Sequence, residues 1–169
     1  IFHSQKDLDK YAKSEHYGDS IIYGDIMICT KEHYVFLTST ILDTNYYDTT
    51  ITTDITDLSA LINIKKISGG LYINHNDYLK SLNGLNNLEV VYSFELGNNK
   101  EISNLNDFKS IRNIYNYLAI YDNENLASIK QLDNIYMNED GTIAWSRNNS
   151  MINSFTFKNI LKIKTLHFN

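Results

Sequence analysis

The chain has 169 residues, 43% of them hydrophobic, and a formal net charge of −5 at pH 7, values that suit one globular domain with a full core. An acidic chain without a run of basic residues lacks the positive face that a nucleic-acid-binding protein needs. No stretch of about 18 apolar residues is present, so we expect no membrane insertion. The single cysteine, Cys29, excludes an intrachain disulfide and a cysteine-based zinc cluster.

The N-terminal residues predict a cap. Ser4 with Asp7 is a typical helix start, and Leu8 and Tyr11 share one helical face, which indicates a short helix over residues 5–13. The residues from 55 onward repeat in the manner of a solenoid, so such a helix is expected to serve as a lid over the first open coil. We therefore predict that the cap and the first coil together occupy the first 28 residues.

A first strand is predicted at residues 26–28, after Gly24. Residues 29–54 do not fit the spacing of apolar residues that repeats from Ile55 onward, and we expect an inserted loop or hairpin there. Part of this insertion is rich in oxygen ligands, but it lacks the glycine and the terminal glutamate of a helical calcium loop, so a solvated loop is favoured. The oxygen-bearing residues are Asp43, Asn45 and Asp48.

Residues 55–169 repeat about every 24 residues, with apolar residues at offsets 0, 3, 6, 9, 12, 16 and 18 of each copy. The second and fifth copies fit after deletion of one residue, and the fourth drifts after Ile135 before it rejoins at Ile143 and Trp145. Such a period is typical of a solenoid, in which each coil buries its apolar edge against the next. The five copies begin at Ile55, Leu79, Ile102, Leu126 and Met151.

The last two apolar positions of each copy, at offsets 16 and 18, have the period of a β-strand, whereas the earlier spacing of three suits a coil with corners. Stacked coils place these strands side by side in a parallel sheet. We predict a mainly β, right-handed solenoid of five to six coils that forms a single domain. The predicted strands contain residues 71–73, 94–96, 118–120, 143–145 and 166–168.

An asparagine follows each of four strands at the same phase. Its amide can hydrogen-bond neighbouring backbone at a tight bend, so stacked coils are expected to carry a structural asparagine ladder. The alternative is that asparagine is merely frequent in this chain. The four ladder positions are Asn76, Asn99, Asn123 and Asn148.

The side chains at offsets 17 and 19 of each copy are expected to point outward and to form a flat face. Tyrosine is favoured at interfaces, so this face is a candidate ligand-binding surface, although tyrosine also suits strands without any binding role. We predict that the residues at offset 17 are exposed. The candidate binding residues are Tyr72, Asn74, Glu95, Tyr121 and His167.

No catalytic or metal-binding constellation is apparent. The five histidines lack the spacing of a helical metal pair, and we expect them, His75 included, to lie at the surface. Cys29 follows an apolar strand and is expected to be a buried, inert thiol. Asn148 begins a formal glycosylation motif, which is common by chance. We therefore predict no enzyme and no cofactor.

Three segments, Ile55–Leu61, Ile67–Ile73 and Leu79–Leu85, together with Gly24-Asp25-Ile26, resemble the receptor L domain, a leucine-rich β-solenoid. The similarity is strongest to the L-domain-like repeat proteins of bacterial surfaces and covers roughly residues 5–28 and 55–168. The resemblance implies a binding or adhesion module displayed outside the cell or on a particle. The cysteines that brace the animal receptors are missing, so a growth-factor role is not implied.

The first functional hypothesis is a non-enzymatic recognition or adhesion module that binds a protein or a glycan through its outward sheet face. The second is a structural building block whose coils assemble through their ends and faces. No capping element follows the strand at residues 166–168, and an open sheet edge with apolar side chains is usually hidden. We expect that edge to be covered by more polypeptide or by another subunit.

Overall fold

The structure, a computed structural model, describes residues 1–31 and 51–148 and the backbone of residues 165–168. Most of the predicted insertion and most of the fifth copy lie outside these ranges. The described elements are one α-helix, α1 (Gln5–Tyr11), short 3-10 helices, and strands β1 (Ile21–Ile22), β2 (Ile26–Ile28), β3 (Lys66–Asn74), β4 (Val90–Gly97), β5 (Asn113–Tyr121), β6 (Thr142–Ser146) and β7 (Thr165–Phe168). The 3-10 helices are Glu15–Gly18, Ser59–Leu61 and Lys130–Leu132.

All the strands belong to one parallel sheet in the order β1-β3-β4-β5-β6-β7, and β2 also pairs with β3. Equivalent residues of successive copies stand next to one another, as in Leu71, Phe94, Leu118 and Ile143. The predicted β-solenoid is thereby confirmed. From β3 to β6 the described chain makes three complete turns, fewer than the five to six coils predicted, because residues 149–164 and 32–50 lie outside the described ranges.

The apolar offsets of the repeat face inward. In the first four copies the residues at offsets 0, 3, 6 and 9 are buried, from Ile55 in the first copy to Ile135 in the fourth. The strand positions of the first three copies are buried too, Leu118 being 2% exposed and Ile120 fully buried. In the fourth copy Ile143 is buried, whereas Trp145 is half-buried against the core. Burial of a large aliphatic side chain stabilises the fold by about 1.5–3 kcal/mol, so this column of side chains is the principal source of stability.

Two of the three irregular copies, the second and the fourth, lie within the described residues and adjust in different ways. Ile67 pairs with Val91 and Gly70 with Ser93, so two residues of β3 stand opposite the single Tyr92 of β4. The second copy is one residue shorter than the first at this point, and the extra residue of β3 forms a bulge. In the fourth copy Met137, only 4% exposed, fills the core one residue earlier than the regular spacing places it.

The N-terminal helix is confirmed, but it ends at Tyr11 rather than at residue 13. Leu8 is fully buried, and Tyr11 and Ala12 pack against the core. The helix stops there because the backbone amide and hydroxyl of Ser14 both donate to the Tyr11 carbonyl, at 2.9 and 2.8 Å. At the other end Asp7 accepts hydrogen bonds from the amide of His3 and the hydroxyl of Ser4, both at 3.0 Å.

The first coil is closed by the N-terminal residues. The Phe2 amide donates to Met27 and the Cys29 amide to Phe2, at 2.8 and 3.2 Å, so Phe2 forms a parallel bridge beside Ile28. The Phe2 ring lies edge-on to Tyr11, with 5.6 Å between ring centroids. The cap therefore covers the edge of β2, and this fixes where the stack of coils starts.

Candidate functional site

The four ladder asparagines are hydrogen-bonded to one another in a repeating arrangement. Each Oδ1 accepts from the backbone amide of the preceding asparagine, at 3.2 Å for Asn76 to Asn99 and 3.1 Å for Asn99 to Asn123 and for Asn123 to Asn148. The side-chain amides also meet the next Oδ1, at 3.1–3.3 Å. Asn76, Asn99 and Asn123 are fully buried, so these bonds satisfy polar groups that water does not reach.

Each ladder asparagine also ties two coils together through its Nδ2. That atom of Asn99 donates to the carbonyls of Gly97, in its own coil, and Ile73, in the preceding coil, both at 2.9 Å. The first rung receives a different partner: the hydroxyl of Thr53 donates to the Oδ1 of Asn76 at 2.7 Å. Thr53 thus starts the ladder where the chain returns from the insertion.

A left-handed backbone conformation precedes every ladder asparagine. The φ angles are 58° at His75, 53° at Asn98, 54° at Asp122 and 47° at Arg147. This conformation costs a residue with a Cβ about 1–2 kcal/mol, and it turns the chain so that the following amide points inward. Arg147 is held further by Asp122, whose carboxylate accepts from its Nε and Nη2, each at 2.6 Å.

The candidate binding residues separate into enclosed and accessible groups. Asn74 is fully buried and Glu95 is 7% exposed, whereas Tyr72 and Tyr121 are half-buried. His167 lies in β7 beside Ala144, but its side chain is outside the described set. The structure therefore brings the first four together on β3, β4 and β5.

A hydrogen-bonded cluster forms around Glu95. The Nδ2 of Asn74 and the hydroxyl of Tyr121 donate to the Oε1 of Glu95, at 2.9 and 2.7 Å. Burial raises the pKa of Glu95, although both hydrogen bonds lower it. Burial also raises the pKa of the neighbouring Tyr72, with contributions from Asp25 and Glu95.

The prediction that offset-17 residues are exposed is wrong, since Glu95 is buried and Ala119 is fully buried. The reason lies in the tyrosines of the same face. The rings of Tyr72 and Tyr121 occupy the space that a Cβ would take at Gly70 and Gly97. Tyrosine rings that lie flat across glycines cover their neighbours, an effect visible only when adjacent strands are compared.

The expectation of a surface His75 is also wrong, because its side chain is 3% exposed. The chain re-enters beside it, where the amide of Thr53 and the hydroxyl of Thr52 donate to the His75 carbonyl, both at 2.9 Å. Burial lowers the pKa of His75, so the imidazole is neutral at physiological pH.

The lone thiol is inert, as predicted. Cys29 is fully buried and burial raises its pKa to about 12, so the nucleophilic thiolate is absent near neutral pH. Within residues 1–31 and 51–148, no group of three acidic, histidine or cysteine side chains is placed to hold a metal ion. The oxygen-rich residues of the insertion lie outside those ranges.

A second outward surface was missed by the sequence reasoning. One outward column consists of equivalent residues of four strands and continues to Tyr136, which pairs with Asn113; the four are Ile21, Lys66, Val90 and Asn113. A second outward column lies two positions further along each strand and includes three tyrosines. We define the tyrosine surface as Tyr23, Tyr92, Tyr115 and Tyr136.

The tyrosine surface is the most exposed aromatic region of the described chain. Tyr23 is 86% exposed, Tyr92 46% and Tyr136 48%, and Tyr115 lies edge-on to Tyr136 at 6.3 Å between centroids. Of the seven large hydrophobic side chains exposed in the described residues, three belong to this surface, and a fourth, Ile21, precedes Tyr23 by two residues. The sequence contains these tyrosines at the outward positions next to offset 12, but the search for repeated apolar residues considered only the inward positions.

Comparison with known proteins gives one match. The family described as "Receptor L domain" matches residues 20–159, which include β1 to β6 and all four ladder asparagines. Searches of curated proteins and of solved structures found no match. None of the helices in the described ranges is long and apolar enough to cross a membrane.

Proposed function

This chain belongs to the receptor L domain family, and on that premise we propose that it is a non-enzymatic recognition module. Its ligand would be a protein or a glycan, bound outside the cell or on a particle surface. The family is one of ligand-binding, non-catalytic domains that are typically extracellular. The proposal extends that general property to this chain and names the outer surface of its sheet as the part that meets the ligand.

The observation that supports the proposal best is the order of the outward side chains. Aromatic and polar residues of β3, β4 and β5 stand in register on a scaffold whose inward residues are fully packed. A rigid surface binds without a large loss of conformational entropy. The inert Cys29 and the neutral, buried His75 supply neither a nucleophile nor an exposed general base.

The candidate residues on this face take different parts in the proposal. Tyr72 and Tyr121 offer accessible ring surface, whereas the enclosed Asn74 and Glu95 accept hydrogen bonds from the Tyr121 hydroxyl, at 3.3 and 2.7 Å, and hold it in place. We treat Asn74 and Glu95 as positioning residues. We keep His167 as a candidate because its strand position follows those of Ala119 and Ala144 in the sheet order.

Binding arrays test this function directly. The purified, folded chain is applied to an array of extracellular proteins and an array of defined glycans, and a heat-unfolded sample serves as the control. We expect reproducible binding to a small set of related ligands by the folded sample alone. Equal signals from the two samples, or no selective signal on either array, would contradict a recognition function.

A structural building block is the second candidate. Its supporting observation is that β7 ends the sheet order, with β6 as its partner among the described strands. A free strand edge is a template for pairing with another chain. Analytical ultracentrifugation across a wide concentration range distinguishes the candidates, since end-to-end assembly gives a growing series of species and a recognition module stays monomeric.

A further inference from the structure

We infer that the tyrosine surface is a binding site for a neutral, linear glycan whose chain runs across the strands, along the solenoid axis. This inference rests on the proposed recognition function and adds to the face of Tyr72 and Tyr121 a second binding surface with a stated ligand class. The site is separate from the cluster around Glu95. It involves the first halves of β3, β4 and β5, whereas Glu95 lies in the second half of β4.

The arrangement of the rings fits stacking on sugars. Inward-facing Ile67, Val91 and Ile114 are fully buried directly between the two outward columns, so the tyrosines rest on a packed base. Tyr92 and Tyr136 each leave about half of their side chain open to solvent. An aromatic ring with an apolar face and a polar tip contacts the C–H face of a sugar while its hydroxyl bonds to sugar oxygens.

The dimensions favour an extended chain over a folded protein. Five rows, from Ile21 to Tyr136, span about 19 Å at the spacing of parallel strands, and the two outward columns lie roughly 7 Å apart. This strip is far smaller than the roughly 800 Å² that each partner buries in a stable protein interface. A linear glycan needs only a narrow strip, with successive sugars lying over successive coils.

The charges favour a neutral ligand. Lys65 and Arg112 lie along one margin with Glu89 between them, and Lys66 lies in the strip itself. On the other side Glu139 follows Asn138, whose amide donates to the Tyr115 carbonyl. Opposite charges are mixed around the strip, and the whole chain is acidic at −5. Such a surface has no single sign with which to attract a polyanion, but its charged and amide groups can bond to hydroxyls.

Isothermal titration with cellohexaose, chitohexaose, xylohexaose and mannohexaose tests the inference, with polygalacturonate and heparin as charged comparators. We expect at least one neutral hexasaccharide to bind, at least tenfold more tightly than its disaccharide, with little dependence on salt. The double variant Tyr92→Ala/Tyr136→Ala should lose at least tenfold in affinity, and Tyr92→Phe should retain binding. Tyr78→Ala is the matched control, since Tyr78 is 57% exposed elsewhere.

The possible failures are distinguishable. Binding of charged glycans alone, weakening with salt, would overturn the neutral class. Array binding to a protein or glycan that survives the double variant would overturn the site while leaving the recognition function intact. The absence of selective binding on the arrays would overturn both. Circular dichroism of each variant verifies that a loss of affinity is not a loss of fold.

Discussion

Replacement of Asn99 by alanine tests whether the asparagine ladder stabilises the solenoid. The change removes the acceptor of the Asn76 amide and the donor to the carbonyls of Ile73 and Gly97. The Gly97 carbonyl keeps a hydrogen bond from His75, so the main loss is at the buried Asn76 amide and at Ile73.

A buried polar group left without a partner costs about 1–3 kcal/mol, and an ordinary hydrogen bond contributes about 1 kcal/mol. Asn99→Ala should therefore lower the free energy of unfolding by about 2–4 kcal/mol by the same reckoning. Asn123→Ala is expected to have a similar effect, because its bonds repeat those of Asn99. Asn99→Asp should be at least as damaging, since it replaces the Nδ2 donor with an oxygen that faces two carbonyls.

Urea unfolding followed by circular dichroism measures these differences. The matched control is Asn125→Ala, because Asn125 is exposed and donates a single hydrogen bond, to Lys100 at 2.8 Å. We expect that variant to lose less than about 1 kcal/mol. Equal losses for Asn99→Ala and Asn125→Ala would refute the reasoning, since the ladder would then contribute no more than a surface contact.

Three further predictions concern the core and two buried titratable groups. Leu118→Ala should cost about 2–5 kcal/mol through the cavity it leaves, and Tyr92→Ala less than about 1 kcal/mol; equal midpoints in urea would contradict the assigned register. Burial raises the pKa of Glu95, so the folded state loses stability as pH rises from the ordinary carboxyl value through the raised one. Glu95→Gln should thus have a higher melting temperature than the native chain at about pH 7.5 and lose this advantage at about pH 4. A lower melting temperature than that of the native chain at the higher pH would contradict this prediction. Burial lowers the pKa of His75, so its contribution is present above the ordinary histidine value and is lost as pH falls through the lowered one. In His75→Asn, melting temperatures between about pH 7.5 and pH 5 should fall less on acidification than in the native chain; an unchanged slope would refute this.

The inward half of the fold was predictable because it is set within one copy. Ile67, Leu71 and Ile73 are buried by the spacing that marks them in the sequence, and the deletion in the second copy appears as the bulge opposite Tyr92. The asparagine ladder was predictable for the same reason, since each asparagine occupies the same position in its own copy.

The outward half was not predictable from one copy at a time. Glu95 is enclosed because Tyr121, one coil further on, donates to it and Tyr72, one coil earlier, lies beside it. The left-handed conformation of Arg147 also escaped notice, since arginine is not a type that favours it. Exposure on a stacked sheet depends on residues about 24 positions away in each direction, and a pattern of inward offsets does not include them.

The asparagine ladder has a direction, and this makes the coils interchangeable. The backbone amides of Asn76, Asn99 and Asn123 each donate to the next rung, so that Asn99 donates to Asn123 and accepts from Asn76. Within the described residues, no rung depends on a partner that is unique to its position, except that Asn76 accepts from Thr53. A gene that duplicates or loses one whole repeat therefore breaks no kind of hydrogen bond in this column, and repeat number can change while both ends of the domain stay the same. The length of the surface offered to a ligand is in this way a heritable variable, adjustable in steps of one coil.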